Sequence, residues 1–399
     1  MDITVTPGKL SGTIHAIPSK SQAHRILICA AFADKPTTIL CSQTNDDIEA
    51  TADCLRSLGA HISRTADGYA VSPIVTIPNQ ATLNCRESGS TLRFFLPIAG
   101  ALGIDTTFEM HGRLPNRPLS PLWEEMERMG CRLTRPTGNT IRCQGKLNPG
   151  TYRINGSVSS QYITGLLFAA TLMHGITQIE INGTLESKPY VRMTQEALLL
   201  FGIESDNYLI DGSASLISPG RFAVEGDWSN GAFFLAAQIT GSPVLVKGLT
   251  NESVQGDSVC AQIMNKLQQE QLIIDSMDIP DLVPILAIVA AANKGAIFEN
   301  IARLRLKESD RIESTLDMLH ALGAEAWSEQ NTMHVHPALF HGCTIDSMND
   351  HRIAMSAAIA ATIASGPVKI IGADCVKKSY PSFWDEFRRL GGNYEQYIW

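Results

Sequence analysis

A short phrase that ends in glycine recurs along the chain, and it limits the possible folds more than any other feature of the 399 residues. Each copy closes an amphipathic segment of helical spacing, and its glycine suits the left-handed position that follows a helix. The copies recur at intervals of roughly 70 residues, with one interval of about two periods in which residues 263–267 form a degenerate copy. The glycine-ended copies are residues 54–59, 126–130, 198–202, 319–323 and 387–391.

The recurrence predicts six repeats of roughly 55–70 residues, a period longer than that of solenoid families. Each repeat combines helices with short β-branched stretches such as residues 37–40 and 368–371, which indicates an α/β chain. We therefore predict two similar globular domains of three repeats each, with a boundary near residues 220–226. The predicted domains are residues 14–225, and residues 1–13 with 226–399, so that the first strand packs with the second domain.

The composition limits the classes of partner. The net charge is −8, so we expect no nucleic-acid surface and no anionic membrane as a partner. The nine cysteines include no C-x-x-C pair, which predicts reduced thiols in a cytoplasmic protein and no structural zinc. The first residues do not resemble a secretory signal. The longest apolar run, residues 282–293, is interrupted by Pro284 and is too short to span a bilayer.

Positively charged side chains stand at predicted helix starts and in rigid loops in both halves of the sequence. In residues 304–311, an alternating stretch typical of a strand end leads through a Glu-Ser-Asp turn into a helix that closes at Gly323. Hydroxyls, glycine and free amides at such junctions favour a bound anion, although each junction alone is also typical of an ordinary capped helix. The eight cations are Lys20, Arg25, Arg93, Arg117, Lys307, Arg311, Arg352 and Lys378.

This set of cations predicts multiply anionic ligands. Eight unpaired cations that face one another would be strongly destabilising, so an acidic chain has reason to gather them only around such ligands. Two phosphorylated carboxylates would match the charge, bound in a cleft that closes between the halves. Asp281 and Glu308 are candidate proton-transfer groups, although Asp281 is equally typical of a helix N-cap. The acidic segment 45–49 is interpreted as structural, because it complements a helix dipole.

The motifs together resemble those of the EPSP synthase family (5-enolpyruvylshikimate-3-phosphate synthase) of enolpyruvyl transferases. They occur in the order expected of that family over nearly the whole chain, and the last three together are highly specific. The motifs are Lys20-Ser21 with Arg25, Ser88-Gly89-Ser90 with Arg93, Asn116-Arg117-Pro118, Ser159-Ser160-Gln161, Ser187-Lys188-Pro189-Tyr190, Ile279-Pro280-Asp281, Lys307-Glu308-Ser309-Asp310-Arg311, Asn349-Asp350-His351-Arg352 and Lys378.

The resemblance implies an inside-out α/β barrel in each of two similar domains, built from three βαβαββ repeats, with the active site in the cleft between the domains. It also implies a cytoplasmic enzyme, expected to be a monomer, that transfers the enolpyruvyl group of phosphoenolpyruvate to the 5-hydroxyl of shikimate 3-phosphate. The expected reaction is an addition followed by an elimination that releases phosphate. No dinucleotide fingerprint or nucleotide-binding loop is present, so we expect no cofactor and no metal.

The resemblance also implies roles for single residues. Asp281, Glu308 and Lys20 are the expected catalytic residues, and the division of proton transfers among them stays open. The first domain is expected to carry most shikimate 3-phosphate contacts, and the second the catalytic pair and the later phosphoenolpyruvate contacts. The expected ligands of shikimate 3-phosphate are Lys20, Ser21, Arg25, Ser159, Ser160, Gln161, Ser187, Tyr190, Asp281 and Lys307. The expected ligands of phosphoenolpyruvate are Lys20, Gly89, Arg117, Gln161, Arg311, Arg352 and Lys378.

The sequence departs from the family pattern at three places. The loop before Lys20 lacks the usual glycine, Glu87 replaces the usual asparagine beside Gly89, and Arg303 stands where an asparagine is common. Because Gly89 is retained, we expect inhibition by phosphonates such as glyphosate, with a strength that the altered loop leaves open.

Two alternative functions stay open. Enolpyruvyl transfer to UDP-N-acetylglucosamine is disfavoured by Ser21 after Lys20 and by the lack of cysteine in residues 111–116. A catalytically silent protein that binds phosphorylated metabolites is favoured by Glu87 alone. That alternative is disfavoured by the presence of both Asp281 and Glu308, because anion binding gives no reason for two carboxylates at these positions.

Overall fold

A computed structural model describes residues 1–397 of the chain. Internal contacts divide the protein into two compact units. Unit 1 consists of residues 1–17 and the residues from 225 onward, and unit 2 consists of residues 18–224. None of the helices in residues 1–397 combines the length and the continuous hydrophobicity that a bilayer crossing requires.

The described residues form 21 strands and 12 α-helices. In chain order the strands are β1 (Asp2–Thr6), β2 (Gly12–His15), β3 (Thr37–Leu40), β4 (His61–Arg64), β5 (Gly68–Ser72), β6 (Gln80–Asn84), β7 (Asp105–Glu109), β8 (Cys131–Thr134), β9 (Thr140–Gly145), β10 (Thr151–Asn155), β11 (Ile176–Asn182), β12 (Leu209–Asp211), β13 (Arg221–Ala223), β14 (Val244–Lys247), β15 (Leu272–Asp275), β16 (Ala296–Glu299), β17 (Ala326–Glu329), β18 (Thr332–Val335), β19 (Cys343–Asp346), β20 (Val368–Ile371) and β21 (Asn393–Tyr397).

The helices alternate with these strands. They are α1 (Lys20–Ala31), α2 (Asp46–Ser57), α3 (Gly89–Leu102), α4 (Leu122–Arg128), α5 (Ser160–Ala170), α6 (Lys188–Leu200), α7 (Trp228–Ile239), α8 (Cys260–Leu267), α9 (Val283–Ala291), α10 (Arg311–Ala321), α11 (His351–Ala361) and α12 (Phe383–Arg389). Short 3-10 helices occupy Leu114–Asn116, Asp206–Tyr208, Gly256–Val259, Ala302–Leu306 and Ala373–Lys378.

One βαβαββ repeat is complete in each unit, with the same strand order. In unit 2, β6, α3, β7, α4, β8 and β9 form a sheet of order β6-β7-β9-β8, in which only β6 and β7 are parallel. In unit 1, β15, α9, β16, α10, β17 and β18 form the matching sheet β15-β16-β18-β17. The predicted repeat is therefore confirmed in both halves of the chain.

Three of the four other sheets include a strand that is distant in sequence, and the fourth consists of consecutive strands. In unit 1, β1 lies antiparallel between β20 and β21 in the sheet β19-β20-β1-β21, and β2 pairs in parallel with β14. In unit 2, β13 pairs in parallel with β3 in the sheet β13-β3-β5-β4, and β10, β11 and β12 form the third sheet. Each unit therefore contains three sheets within the described residues.

The glycine-ended phrases close the second helix of a repeat, as predicted. The glycines after α2, α4, α6, α10 and α12 all have positive φ, between 84° and 116°. A left-handed residue of this kind ends a helix without the steric penalty that a Cβ would bring. These glycines are Gly59, Gly130, Gly202, Gly323 and Gly391.

The first helix of each repeat is buried and the second is amphipathic. Every residue of α9 and α11 is buried, and α7, α9 and α11 pack against one another inside unit 1. In unit 2, α3 packs against α5, and α1 packs against α2 and α6. Each unit therefore has its own hydrophobic core, with apolar helices inside it and sheets that cover them. All nine cysteines are free thiols, and eight of them are buried.

Candidate active site

Three buried helices of unit 2 begin with a serine cap. The hydroxyl oxygens of Ser19, Ser88 and Ser159 accept backbone N–H groups at the starts of α1, α3 and α5, at 3.4, 3.2 and 3.3 Å. A cap satisfies only part of the free amides of a helix start. The remaining amides and the partial positive charge of each helix start favour an anion.

The start of α3 lies against two guanidinium groups. A Cβ placed on Gly89 would come within 2.6 Å of Nη1 of both Arg93 and Arg117, so only glycine leaves these groups where they are. Nη1 of Arg93 donates to the carbonyl of Gly89 at 3.4 Å and to Oε1 of Gln161 at 3.2 Å. The amide of Gln161 donates to Oγ of Ser90 at 2.9 Å. The structure thus brings together Gly89, Arg117 and Gln161, three of the residues predicted to bind one ligand.

Arg25 ties the start of α1 to α6. Its Nε donates to Oγ1 of Thr194 at 2.8 Å, Nη1 to the carbonyl of Ser21 at 2.6 Å, and Nη2 to the carbonyl of Tyr190 at 2.8 Å. Burial lowers the pKa of Arg25 to about 10. Ser187 precedes α6 in the left-handed region, with φ of 56°. Ser21, Arg25, Ser187 and Tyr190 therefore lie at the starts of two adjacent helices.

Lys20, the first residue of α1, forms an ion pair with Asp47 in the first turn of α2. Its Nζ lies 2.8 Å from Oδ2 of Asp47, and both side chains are 16% exposed. Asp47 therefore does more than complement the dipole of α2, because it also neutralises Lys20. The local sequence did not indicate this pair. A carboxylate in the first turn of a helix is common simply because it interacts favourably with the helix dipole.

The loop that carries Arg117 packs against Glu87. Leu114–Asn116 form a 3-10 turn, and Arg117 follows in the extended conformation, with φ of −77° and ψ of 140°. A Cβ on Gly112 would lie 2.6 Å from a carboxylate oxygen of Glu87. Glu87, which departs from the family pattern, therefore packs against the backbone of the loop that carries Arg117.

Arg311 is the centre of a second cluster, in unit 1. Its Nε and Nη2 donate to the two oxygens of Asp350 at 3.0 and 3.3 Å. Its Nη1 donates to Oδ1 of Asp281 at 2.9 Å, and Nη2 also donates to Oε2 of Glu308 at 2.6 Å. Both predicted catalytic carboxylates of this unit therefore share one buried guanidinium.

Asp281 also contacts two other predicted ligand residues. Nη2 of Arg352 donates to Oδ2 of Asp281 at 3.2 Å, and Nζ of Lys307 lies 3.6 Å from Oδ1. Arg352 also donates to the carbonyl and hydroxyl of Ser229 at 3.0 and 2.9 Å. Lys378, predicted for the same ligand as Arg352, donates to the carbonyl of Asn349 at 2.9 Å.

Charges within the cluster move several pKa values. Burial disfavours the charged form of Arg311, but the carboxylates of Asp350, Glu308 and Asp281 outweigh it and raise the pKa. Burial likewise opposes ionisation of Asp350, and the Arg311 guanidinium outweighs it and lowers the pKa. Burial lowers the pKa of Lys307 to about 8, although Asp281 raises it in part. Lys307 is therefore close to titration near neutral pH.

Two expectations from local pattern are wrong in unit 1, and one alternative that the sequence left open is excluded. The predicted cations are not unpaired, because carboxylates neutralise Arg311, Arg352 and Lys307. Residues 302–306 form a 3-10 helix and not a strand end, since β16 ends at Glu299. The N-cap of α9 is Leu282, with no side-chain cap, so Asp281 stands outside the helix.

The predicted helix after Asp310 is confirmed as α10, with Asp310 as its cap. Sequence reasoning missed Asp350, which caps α11 through the amide of Arg352 at 2.9 Å and is completely buried. Capping aspartates are common at helix starts, so its sequence signal does not separate it from Asp310. Only the packing shows that it faces a guanidinium.

Comparisons with known proteins agree with the resemblance. The family model described as EPSP synthase (3-phosphoshikimate 1-carboxyvinyltransferase) matches residues 5–387. The 3-phosphoshikimate 1-carboxyvinyltransferase of Clostridium kluyveri is 36% identical, over 99% of this chain and 98% of the relative. The protein of the same name from Clostridium beijerinckii is 35% identical, over 99% of each.

A solved structure supports the fold. An EPSP synthase from Acinetobacter baumannii superposes with a TM-score of 0.81 over 99% of both chains, at 21% sequence identity. The predicted fold class is therefore confirmed. Because the family model spans almost the whole sequence and full-length relatives exceed one third identity, this chain belongs to the EPSP synthase family.

Proposed function

We propose that this protein transfers the enolpyruvyl group of phosphoenolpyruvate to the 5-hydroxyl of shikimate 3-phosphate and releases phosphate. The observation that carries this proposal is the pair of carboxylates, Asp281 and Glu308, held 2.9 and 2.6 Å from the one guanidinium of Arg311. Asp350 alone already holds Arg311 through two contacts, so a protein that only binds anions gains little from two further, partly exposed carboxylates on the same guanidinium. An enzyme that adds and removes protons beside an anionic substrate requires them.

Shikimate 3-phosphate is proposed to bind mainly at the helix starts of unit 2. The serine-capped starts of α1 and α5 supply hydroxyls and amides, and Arg25 is already fixed by contacts to Ser21 and Tyr190. A guanidinium that is positioned before the ligand arrives loses less entropy when it binds a phosphate. The proposed ligands are Lys20, Ser21, Arg25, Ser159, Ser160, Gln161, Ser187 and Tyr190, with Asp281 and Lys307 from unit 1.

Phosphoenolpyruvate is proposed to bind the cations that surround Gly89 and Arg311. The carboxylate and phosphate of this substrate suit the planar fork of a guanidinium. Among the described residues, the contacts of Gly89 with Arg93 and Arg117 place donors at the start of a 14-residue helix. The proposed ligands are Lys20, Gly89, Arg117, Gln161, Arg311, Arg352 and Lys378.

The reaction proceeds by addition and then elimination. The 5-hydroxyl oxygen bonds to C2 of the enol and gives up its proton, while C3 accepts a proton, which forms a tetrahedral ketal. C3 then loses a proton, the double bond between C2 and C3 returns, and the C2–O bond to phosphate breaks. Asp281 is proposed to take the hydroxyl proton, and Glu308 to protonate C3 and later remove that proton. Lys20 is a third group suited to either transfer.

Neutralising carboxylates prepare the site for anions. Asp350 holds Arg311 through two contacts that involve neither Asp281 nor Glu308. A ligand phosphate or carboxylate can therefore compete for Nη1 and Nη2 while Asp350 keeps the side chain in place. Fixed guanidinium groups then stabilise the charge that develops on the departing phosphate.

The test measures phosphate release by purified protein supplied with both substrates. Glu308→Gln keeps a polar contact with Arg311 but removes the acid and base, so we expect kcat to fall at least about a hundredfold. The control is Glu313→Gln, a neighbour on α10 that is 57% exposed and pairs with Arg305, and it should keep full activity. Turnover of Glu308→Gln at the parent rate would remove the assignment. Phosphate release only with UDP-N-acetylglucosamine as acceptor would show the sister activity.

We further propose that the enzyme is a cytoplasmic monomer. The free state of all nine cysteines is consistent with a reducing compartment. Sedimentation of the purified protein at the mass of one chain, 43.3 kDa, is the expected result. A stable species of twice that mass would contradict the proposal.

A further inference from the structure

A buried chain of hydrogen bonds links α1, α2 and α3 inside unit 2. Nδ1 of His24 lies 2.7 Å from Oγ1 of Thr51, which lies 2.9 Å from Oγ1 of Thr91. The hydroxyl of Thr91 donates to Oγ of Ser88 at 2.8 Å. All four side chains are at most 1% exposed. The chain therefore runs from the interior of α1 to the cap of the helix that starts at Gly89.

The hydrogen-bond chain begins one helical turn beyond the ion pair between Lys20 and Asp47. His24 follows Lys20 by four residues on α1, and Thr51 follows Asp47 by four residues on α2, so each pair shares one face of its helix. The outer contact is ionic and spans 2.8 Å, and the inner contact is neutral and spans 2.7 Å. Two successive contacts thus hold α1 and α2 in a fixed register at their starts.

Hydrogen-bond bookkeeping fixes the direction of the chain. The single proton of Thr91 is given to Ser88, so Oγ1 of Thr91 must accept the proton of Thr51. Thr51 then has no proton for His24, and Nδ1 of His24 must be the donor. The imidazole is therefore the neutral tautomer with its proton on Nδ1. Nε2 of His24, which is buried without a hydrogen-bond partner, is then unprotonated.

The surroundings of His24 keep it neutral. Burial lowers its pKa well below the usual range, and the positive charges of Lys20 and Arg25 lower it further. The ring also packs edge-on against Phe94 of α3, with ring centres 6.3 Å apart. A charged imidazole would carry a second N–H at Nε2, which is buried and has no hydrogen-bond acceptor.

The end of the chain determines the geometry of the start of α3. Oγ of Ser88 accepts both the backbone N–H and the hydroxyl of Thr91, at 3.2 and 2.8 Å. With two donors directed at it, this oxygen has one fixed orientation, and the first turn of α3 is fixed with it. The amides of Gly89 and Ser90, which have no partner inside the helix, then point in a defined direction.

We propose that His24 is a positioning residue for phosphoenolpyruvate, acting through Thr51, Thr91 and Ser88 to orient the amides at the start of α3. This inference rests on the proposed function, because it assigns phosphoenolpyruvate to Gly89. His24 itself touches no substrate. It couples the helix that carries Lys20 to the helix start that receives the anion, so that both binding elements keep one relative geometry.

The first test is the tautomer of His24 in the wild-type protein. Long-range 15N–1H correlation spectra distinguish Nδ1–H from Nε2–H, and the resonance can be assigned by its loss in His24→Asn. We expect the Nδ1–H form alone in the wild type. The Nε2–H form would overturn the proposal, because Nδ1 of His24 would then have no proton to donate to Oγ1 of Thr51. This measurement needs no substrate and is therefore independent of the proposed function.

The second test separates positioning from stability. Thr51→Val keeps the shape but removes the hydroxyl, and we expect the KM for phosphoenolpyruvate to rise about tenfold. The KM for shikimate 3-phosphate should change by less than about twofold, and Thr51→Ser should restore both values. The control is Thr106→Val, which removes another buried hydroxyl of unit 2 whose partner is the carbonyl of Ile104.

The outcomes are distinct. The proposal is overturned if the KM for phosphoenolpyruvate is unchanged in Thr51→Val. It is also overturned if the KM values for phosphoenolpyruvate and for shikimate 3-phosphate rise to the same extent in Thr51→Val as in Thr106→Val, because that result would show a merely structural role. If Thr51→Val does not fold, the tautomer of His24 in the wild-type protein still decides the proposal, because the Nε2–H form overturns it. A wild-type protein that releases no phosphate from the two substrates would instead contradict the proposed function.

Discussion

Arg311 and Asp350 face each other inside unit 1, with Nε and Nη2 of the guanidinium 3.0 and 3.3 Å from the two carboxylate oxygens. The side chain of Asp350 has no exposed surface and that of Arg311 is 1% exposed. This pair holds the guanidinium of Arg311 from its fully buried side. Asp281 and Glu308 accept two other N–H groups of Arg311, at the side where these two carboxylates are still partly exposed, and the carbonyl of Pro280 accepts from Nη1 at 3.4 Å.

Asp350→Asn should destabilise the protein by about 3 kcal/mol, because it leaves the buried Arg311 charge without its best-placed partner. Asparagine still caps α11, so the loss reports the charge and not the cap. Urea denaturation measures it. Asp310→Asn is the matched control, since Asp310 caps α10 but pairs with Arg305 at the surface, and it should cost less than about 1 kcal/mol. Equal losses in the two variants would contradict the prediction.

Gly89→Ala should raise the KM for phosphoenolpyruvate roughly ten- to hundredfold, because the added Cβ displaces two guanidinium groups and small displacements at a binding site are costly. The clash is with Nη1 of Arg93 and of Arg117, each at 2.6 Å. Steady-state kinetics measures the change. Gly138→Ala is the control, since a Cβ there meets no atom within 4 Å. An unchanged KM in Gly89→Ala would show that Arg117 does not bind this substrate.

The use of shikimate 3-phosphate should depend on the charge of Lys307. Burial first, and then the charges of Arg311 and Arg303, lower its pKa to about 8, so the free enzyme loses this charge above that pH. The value of kcat/KM for shikimate 3-phosphate should therefore fall about tenfold for each unit above pH 8. In Lys307→Arg the charge persists, and the fall should disappear. The same fall in that variant would assign the titration to another group.

The same lowered pKa has the opposite effect on stability. The unfolded chain keeps the lysine proton up to its usual pKa of about 10.4, whereas the folded chain releases it near 8. Since the unfolded state binds more protons between these values, the contribution of Lys307 to stability rises with pH in that window. The stability of the wild type relative to Lys307→Met should therefore rise from pH 8 to pH 10.

Ile3→Ala should destabilise unit 1 by about 3 kcal/mol, because it opens a cavity in the core. Ile3 is fully buried on β1, opposite Ile370 of β20. Thr4→Ala changes the other face of the same strand and should cost less than about 0.5 kcal/mol. Thermal denaturation measures both variants. A larger loss from Thr4→Ala would place the core on the opposite face.

Much of the fold was predictable, because its signals are local. The glycine that follows five of the six second helices has positive φ, and this requirement marks Gly59 or Gly323 in the sequence as clearly as in the structure. The strand end expected at residues 304–306 was wrong, since alternation of apolar and charged residues over so few positions also fits the 3-10 helix Ala302–Leu306.

The partners of the candidate site residues could not be predicted. Asp47 and Lys20 are 27 residues apart, and Asp350 and Arg311 are 39 apart. Each of these aspartates already has a local role at a helix start. Its sequence context therefore gives no reason to expect a second role as the counter-charge of a distant cation. The argument from eight unpaired cations failed for the same reason. The chain supplies its own counter-charges from neighbouring helices, and no local pattern reports them.

The position of β1 between β20 and β21 has a consequence for synthesis on the ribosome. All strands of unit 2 are made before residue 225, so that unit can complete its sheets while the rest is still being translated. The first strand emerges earliest, yet its partners follow only some 370 residues later, which at ordinary elongation rates is roughly 20–70 s. During that interval β1 is an unpaired strand on a nascent chain, with the apolar side chains of Ile3 and Val5 exposed, and we expect it to depend on chaperones for that time.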